Sequence, residues 1–227
     1  MLHPIHDGVW GVEAWQPIPG SALPIRMTVI RLPDGGLWLH SPTPLDDATA
    51  ASIDALGRVS HLVAPSRLHH LHLSAAHARW PAARVWIAPG LLTKRPDLHF
   101  ATPLAGGAPG DWGGAIHVEP IGGAPELDEH VFFHAPSASL LVTDLLFNVH
   151  RGRDAMLPWI LRLTGTWDHL AQSRVWWWSI RDRAAAAASA RQIFAWKAQR
   201  LIPCHGDVLE DADGASIAAA LAWMARG

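Results

Sequence analysis

The pattern that most restricts the fold of this chain is an alternation of apolar, strand-like runs with helix-forming segments between residues 26 and 90. Two apolar runs, RMTVIRLP and GGLWLHSP, meet at the turn sequence PDGG, which is typical of a β-hairpin. A helix-forming segment, a short buried strand, a second helix-forming segment from about residue 67 and a last strand ending at Gly90 follow. This β-β-α-β-α-β order predicts a layered α/β fold.

The second half of the chain repeats the same order. EHVFFH and ASLLVTD predict two antiparallel strands around a tight turn at residues 135–137, and a helical pattern follows Asp144. RAAAAASARQIFAWKAQR is rich in strong helix formers, and a last strand, RLIPCHGD, precedes a closing helix. We therefore expect one domain over residues 1–227, in which two sheets pack face to face with helices outside.

Composition excludes several classes of protein. Hydrophobic residues make up 49% of the chain, enough for a sizeable core, and the net charge of −2 provides no basic surface for nucleic acid. The single cysteine, Cys204, cannot form an internal disulfide and fits a reducing compartment. No basic segment followed by an apolar run opens the chain, and no apolar stretch reaches the roughly 18 residues of a membrane span. We expect a cytoplasmic protein without an integral membrane segment.

Polar side chains that follow apolar strands are the candidates for a site, because ligands of α/β folds bind beyond the carboxyl ends of strands. The residues in such positions are His40, His69, His70, Asp144 and His205. Taken singly, each is explained as a helix cap or a hydrogen-bonded turn residue. Imidazoles and a carboxylate that converge are, however, ligands that Zn, Fe and Mn accept. Together, His69 or His70, Asp144 and His205 therefore predict a metal site.

These fragments, in this order, resemble the metallo-β-lactamase superfamily. The resemblance runs from about Met27 to Trp223 and is carried by GGLWLHSPTPLDDATAASIDALGRVSHLVAPSRLHH, LLVTDLLFN and LIPCHGDVL. VTDLLF and PCHGD are similar to the TGD and PGHG loops of that superfamily. More narrowly, the chain resembles a bacterial branch classed as a domain of unknown function. The resemblance implies an αββα four-layer sandwich and a metal-dependent hydrolytic activity.

The chain departs from the HxHxDH motif of the superfamily. In the superfamily the motif follows the strand that HLVAPS occupies here. Placed at the end of that strand, it puts Pro65 and Arg67 at the first two His positions, and His69 and His70 at the final Asp-His pair. A second register uses His70 and His72 as the HxH pair and leaves Ser-Ala where the motif has Asp-His. We favour the first register, because the strand end and the next helix then fall where the superfamily has them. The first metal position then lacks its leading histidines, which predicts a single ion.

The strand before Asp144 offers a further ligand. Antiparallel pairing of EHVFFH with SLLVTD puts His134 beside the turn and Asp144 at the far end, several residues away at about 3.3 Å each. His134 is therefore a poor ligand, whereas Glu129 or His130 would face Asp144. We favour Glu129 as a metal-binding candidate, with a surface carboxylate as the alternative.

Two functions follow from these residues. The first is a metal-dependent hydrolase of a small-molecule substrate, in which Asp144 is catalytic and one divalent ion, Zn or else Fe or Mn, is bound. Its metal-binding candidates are His69, His70, Asp144, His205 and Glu129. The second is a non-catalytic binding or scaffold protein that has lost the metal site, which the missing histidine pair favours. A homo-oligomer is compatible with either function.

Overall fold

Two sheets organise residues 1–226, the part of the chain that the computed structural model describes. The first sheet contains seven strands in chain order: β1 (Leu2–His6), β2 (Val9–Ile18), β3 (Ser21–Arg31), β4 (Leu37–His40), β5 (Val59–Ala64), β6 (Arg84–Ile87) and β7 (Thr102–Pro103). Strands β1 to β4 pair antiparallel and strands β4 to β7 pair parallel. The hairpin and the alternating strands and helices predicted between residues 26 and 90 are confirmed.

The second sheet contains five strands from the later part of the chain: β8 (Ile116–Pro120), β9 (His130–His134), β10 (Ser139–Asn148), β11 (Arg200–Gly206) and β12 (Leu209–Glu210). Their order across the sheet is β12-β11-β10-β9-β8. β9 and β10 form the predicted antiparallel hairpin, in which His134 pairs with Ser139, and β10 pairs parallel with β11.

Seven α-helices complete the described residues: α1 (Asp47–Asp54), α2 (Leu73–Arg79), α3 (Leu91–Lys94), α4 (Met156–Thr164), α5 (Arg174–Ser179), α6 (Arg183–Ala195) and α7 (Ala215–Ala225). Asp46 caps α1, because its side chain accepts a hydrogen bond from the Thr49 amide at 2.7 Å. Within residues 1–226, no helix combines the length and the apolar composition that a membrane-spanning segment requires.

Three layers of buried side chains hold the sheets and helices together. One layer joins α1 and α2 to the outer face of the first sheet, and another joins α6 and α7 to the outer face of the second. The middle layer lies between the sheets, where Trp38 and Val63 pack with Phe132 and Leu141. Neighbouring strand residues face opposite sides, so Leu140 packs toward the helices while Leu141 faces the first sheet. The predicted α/β four-layer sandwich is confirmed.

Strand β10 corrects the expectation that the chain turns helical after Asp144. The strand continues to Asn148, and Leu145 and Leu146 are both completely buried. A short apolar run that is covered on both sides lacks the alternation that identifies a strand at a sheet surface. For this reason, the run LLFN does not distinguish strand from helix by its pattern.

The segment between β5 and α2 also differs from the expectation. We expected a helix from about residue 67, but α2 begins at Leu73. The Ser66 hydroxyl accepts hydrogen bonds from the amides of Leu68 and His69, at 3.2 and 3.1 Å. This local turn competes with the helix. It leaves His69 in a loop at the carboxyl end of β5.

Candidate metal centre

Three side chains from separate elements converge at one end of the two sheets. His69 lies in the loop after β5, Asp144 lies within β10, and His205 is the penultimate residue of β11. His69 Nε2 is 3.1 Å from His205 Nε2 and 3.2 Å from Asp144 Oδ2. His205 Nε2 is 3.4 Å from Asp144 Oδ1. One potential ligand atom from each residue thus lies within 4.8 Å of the other two.

In both imidazoles, Nδ1, the nitrogen that faces away from the site, contacts a polar group of the protein. His205 Nδ1 lies 2.8 Å from the Pro24 carbonyl oxygen, which can only accept a hydrogen bond, so Nδ1 carries a proton. The ring of Phe147 stacks on the His205 ring at 4.6 Å. His69 Nδ1 lies 2.8 Å from the Ser41 hydroxyl. Contacts of this kind orient metal-binding histidines, and the Pro24 contact leaves the lone pair of His205 Nε2 free to face the metal.

The separations among the three side chains are close to those of ligands on a tetrahedral ion. Nitrogen and oxygen ligands about 2.0–2.2 Å from zinc lie roughly 3.3–3.6 Å from one another in that geometry. The two Nε2 atoms are 3.1 Å apart, His69 Nε2 is 3.2 Å from Asp144 Oδ2, and His205 Nε2 is 3.4 Å from the other carboxylate oxygen, Oδ1. Asp144 Oδ2 is buried and receives no well-directed hydrogen bond from residues 1–226. The donor set and the buried, unpartnered oxygen therefore fit one divalent ion held by three protein ligands.

The charges of the three groups depend on one another. Burial would raise the pKa of the Asp144 carboxyl, but the charge of His69 and the close contacts with the His205 and His69 imidazoles hold that pKa well below its usual range. Burial would lower the pKa of the His69 imidazole. Attraction to Asp144, together with contacts to Asp144 and Cys204, outweighs burial and raises it well above the usual value. A metal ion therefore competes with a proton on His69.

His70 does not join this group, which corrects its expected place beside His69. Its Nδ1 lies 3.4 Å from the Arg95 guanidinium, and its backbone amide donates to the Leu68 carbonyl at 3.1 Å. Burial and the charges of Lys94 and Arg95 lower the pKa of His70 to about 4. Consecutive side chains of the turn point in different directions, so only His69 reaches Asp144 and His205.

Glu129 lies beside the group but outside its set of ligand atoms, which corrects its expected role as a ligand. Its Oε1 accepts hydrogen bonds from the amides of Thr143 and Leu145, at 2.8 and 3.2 Å. Burial, followed by repulsion from Asp144, raises the pKa of Glu129 to about 7. Glu129 thus holds the backbone on both sides of Asp144, as a positioning residue.

The other residues singled out from the sequence supply none of the three ligand atoms. His134 bonds to the Ser137 hydroxyl at 2.7 Å, at the opposite end of the hairpin from Asp144, as predicted. Cys204 is buried, with its sulfur 4.0 Å from His40 Nδ1. The Arg67 guanidinium donates to the Pro125 carbonyl.

Two contacts behind the imidazoles were missed by the sequence argument. Ser41 directly follows His40 at the end of β4, so its position at a strand end was a usable signal. The Pro24 carbonyl carries no signal in the sequence, because any residue has a carbonyl and only the fold brings this one to His205.

Comparison with known proteins agrees with the fold described above. Residues 6–96 match a family model described as "Domain of unknown function (DUF4336)". The comparison with curated proteins gives no match. Among solved structures, a metallo-β-lactamase from Pontibacter korlensis superposes with a TM-score of 0.65 at 14% identity, over 98% of both chains. The chain has the metallo-β-lactamase fold.

Two further solved structures share this metallo-β-lactamase fold. The metallo-β-lactamase FIM-1 from Pseudomonas aeruginosa, in a mono-zinc form, matches with a TM-score of 0.63 at 14% identity, over 100% of this chain and 93% of that one. A metallo-β-lactamase from Hirschia baltica matches with a TM-score of 0.61 at 15% identity, over 100% and 96%. The fold predicted from the resemblance is therefore confirmed, and the His/Asp group of this metallo-β-lactamase fold is a possible metal site.

Proposed function

We propose that this protein is a metal-dependent hydrolase of a small-molecule substrate, with a single ion bound by His69, Asp144 and His205. The observation that carries the proposal is the convergence of two Nε2 atoms and a carboxylate at 3.1 to 3.4 Å. Zinc is the ion we favour, because two imidazoles and one carboxylate form a common set of protein ligands at catalytic zinc sites. Iron and manganese are the alternatives.

The residues of the chain have distinct roles in this proposal. A divalent ion bound here supplies a Lewis acid that lowers the pKa of water and polarises a carbonyl or phosphoryl oxygen. Ser41 and the Pro24 carbonyl orient the imidazoles of His69 and His205 toward the position of the ion. Asp144 is the proposed catalytic residue. It lines a cavity of about 150 Å³, so a substrate in that cavity would contact its carboxylate.

Metal analysis combined with a hydrolysis panel tests this function. Purified wild-type protein should contain about one zinc per chain and should hydrolyse at least one of a lactone, a thioester, a phosphodiester and an amide. Asp144→Asn keeps the shape of the side chain and removes its charge, so both zinc and turnover should fall at least about 100-fold. Asp168→Asn makes the same change at an exposed carboxylate and should leave both unchanged. Wild-type protein without stoichiometric metal, prepared without chelators, would refute the metalloenzyme.

The second candidate function is a non-catalytic binding or scaffold protein. The observation that favours it is the presence of Pro65 and Arg67 where the resembling motif has its first two histidines. The Pro65 carbonyl accepts from the His130 amide at 2.8 Å, so this segment contacts the start of β9 through its backbone. Absence of metal, together with a folded protein that is inactive on the whole panel, would support this candidate.

We also propose a cytoplasmic location and no nucleic-acid partner. The buried thiol of Cys204 has no disulfide partner, which suits a reducing compartment. The net charge of −2 gives no electrostatic attraction to nucleic acid. Association into a homo-oligomer is compatible with the exposed side chains of Trp159, Leu163 and Trp178, and light scattering of the purified protein would measure it.

A further inference from the structure

A second cavity of about 180 Å³ lies next to the candidate metal centre. Its walls come from β2, β3, β10, α4, α5 and the loops beside them, and they are almost entirely apolar. The side chains that form most of the walls are Ile18, Leu23, Leu127, Ile160, Leu161 and Trp176. No lysine or arginine among residues 1–226 lines this cavity or the cavity at the metal centre. The pair of cavities therefore favours an uncharged ligand with an apolar portion.

The two cavities share part of their walls. Leu23, Leu68 and Asp144 line both. A ligand that fills the apolar cavity would therefore end at the carboxylate that we assign to the metal centre. This continuity fixes which end of a ligand would react.

The hydroxyl groups in the apolar cavity already take part in hydrogen bonds within the protein. Ser173 Oγ accepts a hydrogen bond from the Val175 amide at 3.1 Å, which caps α5. Thr164 Oγ1 donates to the Leu161 carbonyl at 3.1 Å. A polar substituent entering the cavity would lose its water and meet few polar groups, chiefly the Ser173 hydroxyl and the Trp176 indole N–H, which is unpartnered within residues 1–226. A hydrocarbon chain loses no hydrogen bonds to water.

We propose that the apolar cavity binds the acyl chain of a neutral ester or thioester, whose carbonyl lies at the His69–Asp144–His205 site. This inference rests on the proposed function. The reaction is hydrolysis: the oxygen of water bonds to the acyl carbon and the bond from that carbon to the leaving oxygen or sulfur breaks. The leaving group takes one proton, and the products are a carboxylic acid and an alcohol or thiol.

Chain length provides the first test. The probes are p-nitrophenyl acetate, butyrate and hexanoate with zinc-loaded protein. Because burial of a methylene is favourable, kcat/KM should rise about fourfold for each methylene that enters the cavity. Val175→Trp should flatten this dependence, because Val175 lines the cavity and its partly exposed position tolerates a larger side chain. Ile160→Phe is the second filling variant if Val175→Trp does not fold.

The matched control is Leu163→Trp, which places the same side chain at an exposed position of α4 outside the cavity. It should keep the wild-type dependence on chain length. Equal kcat/KM for all three esters would overturn the inference while leaving the hydrolase in place. A dependence that survives in both filling variants would overturn it as well.

Binding provides a readout that does not need turnover. Calorimetric titration of zinc-loaded protein with acetohydroxamate, butanohydroxamate and hexanohydroxamate should give affinities that rise about fourfold per methylene. Saturation-transfer NMR with 1-hexanol should detect binding to zinc-free protein as well, and Val175→Trp should abolish it. Chain-dependent binding without hydrolysis of any ester would refute the proposed function and support the cavity as a hydrocarbon site. Absence of hexanol binding from folded wild-type protein would overturn the inference.

Discussion

At the scale of single residues, the candidate metal centre depends on the groups behind its ligands. The Pro24 carbonyl determines which nitrogen of His205 carries the proton, and the Ser41 hydroxyl contacts the outer nitrogen of His69. Ser41 adopts a left-handed backbone conformation, with φ of 53°, directly after β4. Its amide donates to the Val63 carbonyl at 2.9 Å, which ties the turn to the neighbouring strand. A residue in this conformation needs support from its surroundings, and it places its hydroxyl at His69.

Ser41→Ala tests this positioning role. The variant removes the hydroxyl and leaves the His69 ring free to rotate, so zinc affinity should fall by roughly 10- to 100-fold. The free energy of unfolding of the metal-free protein should change by no more than about 1.5 kcal/mol. Ser52→Ala, which removes a hydroxyl from the exposed side of α1, is the control for both measurements. Zinc affinities equal to wild type within error would show that Ser41 does not orient His69.

The buried imidazole of His40 should make the free energy of unfolding depend on pH. Its ring is completely buried against Trp38, and burial, assisted by the charge of His69, lowers the pKa of His40 to about 3. In the unfolded chain the pKa is 6.5, so below that pH the unfolded state binds a proton that the folded state does not. Stability is therefore complete above pH 6.5 and is lost as the pH falls toward 3.

His40→Phe should remove this loss. Between pH 7 and pH 5, the wild-type free energy of unfolding should fall by about 2 kcal/mol more than that of the variant. Urea unfolding at the two pH values measures the difference. His99→Phe, at an exposed histidine, should behave as wild type. Parallel pH profiles for wild type and His40→Phe would contradict the assignment.

At the scale of elements, the site forms where strand pairing is interrupted. The parallel register between β10 and β11 shifts between Val142 and Phe147, and Asp144 lies inside this irregularity. At this irregularity, Glu129 accepts hydrogen bonds from the backbone amides of Thr143 and Leu145, which satisfies the backbone donors on both sides of Asp144. The irregular stretch of β10 thus presents Asp144 at the cavity while the rest of the strand continues the sheet.

Gly206 is the position where β11 allows no side chain. Its φ is 102°, and a Cβ there would lie 2.0 Å from the Asn148 carbonyl oxygen of β10. Gly206→Ala should therefore cost more than about 2 kcal/mol of unfolding free energy and disturb the neighbouring His205. Gly8→Ala is the matched control, because Gly8 also has a positive φ but nothing within 4 Å of the added Cβ. Urea unfolding should show a clearly larger loss for Gly206→Ala than for Gly8→Ala, and equal losses would contradict the steric argument.

The sequence predicts the elements better than it predicts the loops. The apolar run of β5 and the helix-forming residues of α6 predict these elements from the sequence alone, and so does the turn that pairs β9 with β10. The site is predicted in part: His69, Asp144 and His205 come together as expected, but His70 turns toward Arg95. The spacing of His69 and His70 in the sequence does not show which of them joins the site. That choice depends on the turn formed by Ser66 and on the guanidinium of Arg95, which directly follows α3.

At the scale of the whole molecule, the layer between the sheets couples the two halves of the chain. Trp38 and Val63 of the first sheet pack with Phe132, Leu141 and other side chains of the second. The halves share this core, so we expect them to unfold together as one domain over residues 1–227. The metal centre would depend on this coupling, because His69 follows the first sheet whereas Asp144 and His205 belong to the second.

Leu141→Ala tests the coupling. Leu141 is completely buried between the sheets, so its truncation should cost about 2–5 kcal/mol. Hydrogen exchange in urea should show that β3 and β11, one strand from each sheet, lose protection at the same lowered midpoint. Leu163→Ala, at an exposed leucine, should leave the midpoint within about 0.5 kcal/mol of wild type. Separate midpoints for β3 and β11 would show that the sheets are independent units.

The most direct measurement of the metal centre is anomalous X-ray diffraction at the zinc edge from crystals grown with zinc. The expected result is one zinc peak per chain, about 2.0–2.2 Å from His69 Nε2, His205 Nε2 and an oxygen of Asp144. His70 and His134 should lie outside its ligands. A zinc-containing crystal with no peak among these three side chains, or with a peak bound by His70 instead of His69, would contradict the proposed site.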